Sequence, residues 1–197
     1  MAANPVLDNI YGRRSVRSYS DQQVKDNDIK ELIKAGFHAA NGMNMQKLRF
    51  SVVADRDKLK EYSDRGKELY LAHMRSMGIT NPYLETNLKR DDYNIFHNAP
   101  AAIFIYAAPG ILTGTEDASL AAANIMLAAR SMGLGTCWIG LAAGLGEDEG
   151  FLADNKVPKD HKMMASVILG YPKDKDPGPA SRDEPQIFNW LRHTPRA

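Results

Sequence analysis

Cysteine is almost absent from this chain of 197 residues, whose single cysteine is Cys137. One cysteine cannot form a disulfide within the chain, and low cysteine use is typical of a reducing compartment. The opening residues Met-Ala-Ala-Asn-Pro lack the charged and apolar regions of a secretory signal. No apolar run reaches the roughly 18 residues that a membrane-spanning helix needs. We therefore expect a cytoplasmic protein that does not enter a membrane.

An excess of charge of one sign is also lacking, because 25 lysines and arginines oppose 24 aspartates and glutamates, for a formal net charge of +1. Nucleic-acid binding draws on an extended basic surface, so we expect no nucleic-acid partner. The five histidines show no metal-ligand spacing with one another or with Cys137, so we expect no metal site. Cys137 lies in an apolar segment and is interpreted as a buried structural thiol.

Familiar catalytic and nucleotide-binding motifs are missing as well. The sequence contains neither a P-loop pattern nor a Gly-x-Ser-x-Gly elbow. Gly133-Leu134-Gly135 begins like a dinucleotide-binding fingerprint, but it follows a predicted helix and precedes a predicted strand. The fingerprint requires the opposite order, so we exclude a Rossmann site. With no evident nucleophile or acid–base pair, an enzyme of this kind would take its chemistry from a cofactor.

The residues from Arg13 to Arg17 read Arg-Arg-Ser-Val-Arg and follow a short amphipathic segment. A guanidinium group can donate two parallel hydrogen bonds to a phosphate or a carboxylate. Each charge-assisted bond contributes about 1.5–3 kcal/mol. Three arginines and the Ser15 hydroxyl therefore suit one phosphate group, and a solvated basic turn is the other interpretation of this stretch.

Hydrophobic periodicity predicts several helices. Asn4-Pro5 is typical of a helix start, and Asp28 with Glu31 resembles a capping box that opens a second helix. Longer helices are predicted over residues 59–77 and 118–132. The helix over 118–132 is apolar nearly all round, which indicates either a subunit interface or burial within the subunit.

Four strands are predicted, over residues 50–54, 101–106, 133–140 and 165–169. The second is apolar on both faces, as a buried central strand would be. Residues 83–98 are polar and indicate a helical insertion or a lid. Residues 173–185 predict an extended arm, and the apolar tail after it must be covered, within reach of a second subunit. No linker interrupts the chain, so we expect one domain over 1–197, with 173–197 as its C-terminal arm.

Taken in order, six features of the sequence resemble the FMN-dependent nitroreductase family, from the first helix through Arg182. They are Arg13–Arg17, the small-residue loop Ala39–Gln46 that ends in Asn-x-Gln, Asn98-Ala99-Pro100 before a strand, the alanine-rich helix leading into Gly133–Gly140, Gly170-Tyr171-Pro172, and Ser181-Arg182. The resemblance implies an α+β fold with a mixed central β-sheet flanked by helices in three layers. It also implies a homodimer with exchanged C-terminal arms and two FMN sites at the interface.

The resemblance further implies a set of cofactor-binding residues: Arg13, Arg14, Ser15, Arg17, Asn44, Gln46, Gly140, Leu141 and Arg182. Arg13 and Arg182 would bind the FMN phosphate, and Arg14 and Ser15 would contact the phosphate and the ribityl chain. Arg17 would lie near the pyrimidine edge of the flavin. Asn44 and Gln46 would come from the partner subunit, and backbone N–H groups around Gly140 and Leu141 would face the flavin N5. No catalytic side chain is implied, because FMN carries the chemistry.

The function implied by the resemblance is NAD(P)H-dependent reduction of a small acceptor, such as a nitroaromatic or a quinone, by a ping-pong mechanism. An FMN-binding protein without turnover, serving storage or sensing, is the alternative. That alternative rests on Lys47-Leu48, which stands where the family usually has Pro-Trp. Residues 83–98 are expected to form part of the substrate pocket, and Asn87, Lys89 and Asn94 are candidates for the Asn and Lys that some members place there. The acceptor and the choice between NADH and NADPH stay open.

Overall fold

The computed structural model of the protein describes residues 4–174 and 178–192. Its sheet contains four strands, β1 (Leu48–Val53), β2 (Ala101–Ala107), β3 (Gly135–Trp138) and β4 (Lys162–Gly170), in the order β1-β2-β4-β3. All seven residues of β2 are buried, which confirms the predicted buried central strand. Each neighbouring pair of strands is antiparallel. The sheet is therefore antiparallel, whereas the resemblance implied a mixed sheet. Within the described residues, the parallel pairing is the isolated bridge between Ser15 and Thr136.

Six α-helices surround the sheet: α1 (Pro5–Gly12), α2 (Asp26–Phe37), α3 (Arg56–Ser76), α4 (Pro82–Leu88), α5 (Gly114–Ser131) and α6 (Glu149–Asp154). Two short 3-10 helices, Gly42–Asn44 and Gly140–Glu147, lie in the loops after α2 and β3. These bounds agree with the predicted helices and strands to within a few residues.

The core has two layers because successive side chains of β2 point to opposite faces of the sheet. Phe104 and Tyr106 pack with Tyr62 of α3 and Phe151 of α6 in one buried cluster. Ile103 and Ile105 pack in the other cluster, with residues of α2 and α5. The helices therefore flank the sheet on both faces, and the expected three-layer α+β architecture is confirmed.

The two predicted helix starts have different outcomes. The Asn4 side chain accepts hydrogen bonds from the N–H groups of Val6 and Leu7 at 3.1 and 3.2 Å, so the predicted start of α1 is confirmed. The predicted capping box at Asp28 is wrong, because α2 begins at Asp26 and Lys25 occupies the N-cap position without a side-chain bond. Asp28 lies instead in the first turn, where its negative charge is favourable near the positive end of the helix dipole.

Helix α5 is buried within the subunit along a stripe of mostly small side chains. Its buried residues are Gly114, Asp117, Ala118, Ala121, Ala122, Ile125 and Ala129. The close approach to α2 requires Gly36, where an added Cβ would lie 2.8 Å from the Ile125 side chain. Burial within the subunit is confirmed for this stripe, and a subunit interface on the rest of the helix stays a prediction.

Residues 83–98 form part of α4 and then a turn-rich connection to β2. Leu88, Ile95 and Phe96 are buried. The Lys67 ammonium, itself buried, donates to the Arg90 carbonyl at 3.0 Å and so fixes the start of this connection to α3. The helical insertion predicted here is therefore confirmed for its first half.

The C-terminal arm has no helix or strand over residues 178–192. Its apolar side chains are exposed on the single chain, namely Ile187, Phe188, Trp190 and Leu191. Part of the predicted arm, residues 175–177 and 193–197, lies outside the described residues. The assignment of 1–197 to one domain stays a prediction.

Candidate functional site

A cleft of about 610 Å³ opens where α1 ends. It is lined by residues 12–18, by Met126 and Arg130 of α5, by residues 133–136 at the start of β3, and by Pro172 and Asp174. Sites for small molecules and cofactors have volumes of about 300–1,000 Å³. The cleft is therefore large enough for a nucleotide-sized ligand.

The arginine segment reaches the cleft because it runs along the edge of β3. The Val16 N–H donates to the Thr136 carbonyl at 2.9 Å. Gly135 makes this approach possible, since an added Cβ there would lie 2.7 Å from the Val16 Cβ. Beyond the cleft, Tyr19 donates its hydroxyl to the Val16 carbonyl at 2.6 Å and forms a bridge with Pro172. The segment is thus fixed between β3 and the chain that leaves β4.

Four of the nine predicted cofactor residues line this single cleft: Arg13, Arg14, Ser15 and Arg17. Arg13 and Arg14 are half-buried, whereas Ser15 and Arg17 are exposed. The Arg14 guanidinium donates to the Gly178 carbonyl at 3.1 Å, so it also ties the start of the C-terminal arm to the cleft. Three permanent positive charges and one hydroxyl therefore meet in a concave site suited to an anion.

A fourth arginine, Arg130, lines the same cleft and was missed by the sequence analysis. Its Nη1 donates to the Asn9 Oδ1 at 3.2 Å, and the Asn9 Nδ2 donates to the Leu127 carbonyl at 2.7 Å. The guanidinium lies against Gly12, where an added Cβ would overlap it. One signal was available in the sequence, because Arg130 lies in the last turn of the predicted helix that leads into the glycine-flanked strand.

The other five predicted residues do not line the cleft of the same chain: Asn44, Gln46, Gly140, Leu141 and Arg182. Asn44 and Gln46 lie exposed on the loop between α2 and β1, and Arg182 lies exposed in the arm. Gly140 and Leu141 follow the opposite end of β3 from the arginine segment. One chain therefore carries the predicted residues in separate places.

The loop that carries Asn44 and Gln46 holds an unusual backbone conformation. Met43, Asn44 and Gln46 have φ angles of 49°, 51° and 53°, in the left-handed region that favours glycine. Within the loop, the Gln46 N–H donates to the Asn41 Oδ1 at 3.1 Å. Strained backbone of this kind is concentrated at functional sites and persists where the surrounding structure fixes it.

Asp117 of α5 anchors this loop and was also missed by the sequence analysis. Its Oδ1 accepts a hydrogen bond from the Gly42 N–H at 3.0 Å, although 75 positions separate the two residues. Its Oδ2 is buried and has no hydrogen-bond partner within the described residues. Lys47 adds a second anchor, because its Nζ donates to the Pro109 carbonyl at 3.1 Å. The Lys47 side chain, which stands where the family usually has proline, thus helps to hold the loop in place.

Arg17 shapes the electrostatics next to the cleft. Burial and the positive charge of Arg17 lower the pKa of His97 below its usual value. Burial raises the pKa of Tyr19 strongly, with Cys137 adding to the increase and Arg17 opposing it. We expect His97 to be neutral at neutral pH for this reason.

Neither a metal-ligand cluster nor a membrane-spanning helix is found among the described residues. Over residues 4–174 and 178–192, no three His, Cys, Asp or Glu side chains are grouped in a way that could hold a metal ion. In the same residues no helix is both long enough and apolar enough to span a bilayer. Cys137 is buried and free, as the sequence predicted.

Comparisons with known proteins extend over most of the chain. A candidate NADH dehydrogenase/NAD(P)H nitroreductase of Archaeoglobus fulgidus is 33% identical over 171 residues, which are 84% of each chain. An FMN reductase (NADPH) of Bacillus subtilis is 30% identical over 182 residues, covering 86% of this chain and 66% of that relative. The crystal structure of a nitroreductase with bound FMN from Bacteroides fragilis superposes with a TM-score of 0.74 at 28% identity, covering 94% of this chain and 95% of the other.

A match to a protein-family model covers most of the chain. The model of the nitroreductase family matches residues 10–171, a span that includes the arginine segment, the loop before β1 and all four strands. The motifs between residues 10 and 171, whose order resembles this family, therefore lie within the matched span. The chain belongs to the nitroreductase family.

Proposed function

We propose that this protein is an FMN-dependent oxidoreductase that uses NAD(P)H to reduce a small acceptor, such as a nitroaromatic or a quinone. The observation that carries the proposal is the cleft lined together by Arg13, Arg14, Ser15, Arg17 and Arg130. Relatives named as an NAD(P)H nitroreductase and an NADPH-dependent FMN reductase support the same activity. When bound, FMN supplies the hydride chemistry for which the chain has no evident side chain.

The residues of the cleft fit FMN by charge and by space. A phosphate monoester carries about two negative charges near neutral pH. The arginine segment brings the Arg13 and Arg14 guanidinium groups and the Ser15 hydroxyl to the cleft, which the Asp174 carboxylate also lines. Gly12 leaves room for the Arg130 guanidinium, and Gly135 leaves room for Val16 of the arginine segment. The cleft therefore has both the donors and the room for the phosphate end of the cofactor.

Strand β3 gives the direction in which the rest of FMN would lie. Gly135 lies at the cleft, and Gly140 follows five residues later, about 16 Å away at roughly 3.3 Å per residue. An added Cβ at Gly140 meets no atom within 4 Å, so the backbone there faces open space. We assign the flavin ring to this end, next to the backbone N–H groups of Gly140 and Leu141. Arg17, the last arginine of the cleft segment, would supply a positive charge towards the pyrimidine edge of the flavin.

We assign Asn44 and Gln46 to a second copy of the chain, because both are exposed and do not line the cleft of their own subunit. Arg182 keeps its assignment to the FMN phosphate with Arg13. The exposed apolar side chains of the arm and of α1 would be covered in a homodimer with exchanged arms. They are Val6, Leu7, Ile10 and Tyr11 of α1, and Ile187, Phe188, Trp190 and Leu191 of the arm. Exposed apolar surface of this extent marks an interaction site.

NAD(P)H and the acceptor would use the open space beside Gly140 in turn. Sharing one position requires the oxidised donor to leave before the acceptor enters, which is a ping-pong mechanism. Helix α4 and the connection to β2 lie in the 83–98 segment, which we assign to the wall that selects the acceptor. The part of the chain would be to bind and orient the reactants.

The absorption spectrum of the purified protein tests this function. We expect a flavin band that bleaches when NADH or NADPH is added without oxygen, and the faster donor identifies the preferred one. A flavin band that no donor bleaches would indicate the storage or sensing alternative. A protein that takes up no FMN would refute the proposal.

Replacement of Arg13 by alanine tests the phosphate assignment. Loss of one charge-assisted bond of about 1.5–3 kcal/mol should weaken FMN binding about tenfold to a hundredfold. Titration of the apoprotein with FMN, followed by flavin fluorescence, measures the change. Equal affinity in the variant and the parent would remove Arg13 from the site.

A further inference from the structure

The C-terminal end of α5 forms part of the cleft wall, where the helix alone would repel an anion. Helix α5 ends at Ser131, and its last carbonyls carry the negative end of the helix dipole. Arg130 lies in this last turn and lines the cleft. The guanidinium therefore adds a positive charge to a wall whose other charged or partly charged groups are the helix carbonyls and the Asp174 carboxylate.

The position of the Arg130 guanidinium is fixed by two neighbours on α1. Asn9 has its amide orientation set by the 2.7 Å bond from Nδ2 to the Leu127 carbonyl, which directs Oδ1 towards the Arg130 Nη1 at 3.2 Å. Gly12 provides the surface on which the guanidinium lies, because any Cβ there would overlap the group. Asn9 and Gly12 are two of the contacts that Arg130 makes, and together they hold a long side chain that is ordinarily mobile at a helix end.

We propose that Arg130 is a further phosphate-binding residue of the cofactor site and that Asn9 is its positioning residue. The inference rests on the proposed function, since the ligand is the phosphate of FMN. It adds a cation from α5 to those of the Arg13–Arg17 segment, so the phosphate is approached from two separate elements. Permanent charge and planar geometry make arginine suited to this task.

Comparison of FMN with riboflavin isolates the role of Arg130, because riboflavin lacks only the phosphate. We expect Arg130→Gln to weaken FMN binding by about tenfold to a hundredfold and to leave riboflavin binding unchanged. Gly12→Ala keeps the charge but displaces the guanidinium, and Asn9→Ala removes its restraint. Both should reduce the preference for FMN over riboflavin by a smaller factor than Arg130→Gln does.

Arg75→Gln is a matched control, since Arg75 also lies in the last turn of a helix but is exposed and lies outside the cleft. It should leave both affinities unchanged. Equal loss of FMN and riboflavin binding in Arg130→Gln would show a merely structural role and overturn the inference. An unchanged FMN preference in Arg130→Gln and Gly12→Ala would overturn it as well. A parent protein that binds FMN no better than riboflavin would instead refute the phosphate site of the proposed function, and Arg130 with it.

Discussion

Asp117→Ala removes the carboxylate that joins α5 to the loop carrying Asn44 and Gln46. Asp117 is only 3% exposed, and its Oδ1 accepts the Gly42 N–H at 3.0 Å. A hydrogen bond to a charged group contributes about 1.5–3 kcal/mol. The same substitution also removes the buried Oδ2, which has no partner within the described residues and whose burial opposes folding.

The expected net loss in the free energy of unfolding is about 1–2 kcal/mol, because relief of the buried Oδ2 offsets part of the lost bond. For a protein of this size that loss lowers Tm by about 2–8 °C. The loop itself should respond more strongly than the whole protein. Its three residues with left-handed φ cost on the order of 1 kcal/mol each or more, so the freed loop gains by leaving this conformation.

Urea unfolding and limited proteolysis of the loop measure the two effects separately. Asp117→Asn keeps an oxygen acceptor for Gly42 and should restore most of the protection of the loop. Glu116→Ala is the matched control, since Glu116 lies exposed in the same first turn of α5. If Asp117→Ala were as stable as the parent and its loop no more readily cleaved, the bonds within the loop would suffice and the anchoring role would be refuted.

Three further predictions concern the packing and the titration of the fold. Gly135→Ala places a Cβ 2.7 Å from the Val16 Cβ, so the arginine segment must move and FMN affinity should fall, as a flavin titration would detect; unchanged affinity would contradict this account of the close approach. Phe151→Ala empties a fully buried site between two rings whose centroids lie 4.8 and 5.0 Å away, and it should lower the free energy of unfolding by about 3–5 kcal/mol in urea; a loss below 1 kcal/mol would mean that the core refills the space. Burial and Arg17 lower the pKa of His97, so below about pH 6.5 the unfolded chain takes up a proton before the folded chain does, and stability should fall as the pH falls through that value. His97→Asn, which suits the left-handed φ of 52°, should flatten this slope, and identical slopes in both proteins would exclude His97 as the cause.

The local sequence pattern was sufficient to predict the elements whose formation depends on residues close together in the chain. Strand β2 was predicted as buried on both faces because each of its positions is apolar, and alternating positions then fill both core layers. The start of α1 was predicted because Asn4 and Pro5 act within one turn of chain. The start of α2 was not, because Asp26 and Asp28 are both reasonable helix-start residues and the sequence pattern does not choose between them.

The sequence by itself determined the family, the chemistry of the Arg13–Arg17 segment and the need for a cofactor, because these depend on residue types at short spacing. The tertiary structure decided which distant residues join that segment. Asn9 and Arg130 are 121 positions apart and Gly42 and Asp117 are 75 apart, yet each pair is hydrogen-bonded. Periodicity identifies a buried face but not its partner, since the partner depends on how the loops bring the elements together. The sequence places Arg130 near the end of a helix, but only the tertiary structure brings that helix end beside the arginine segment.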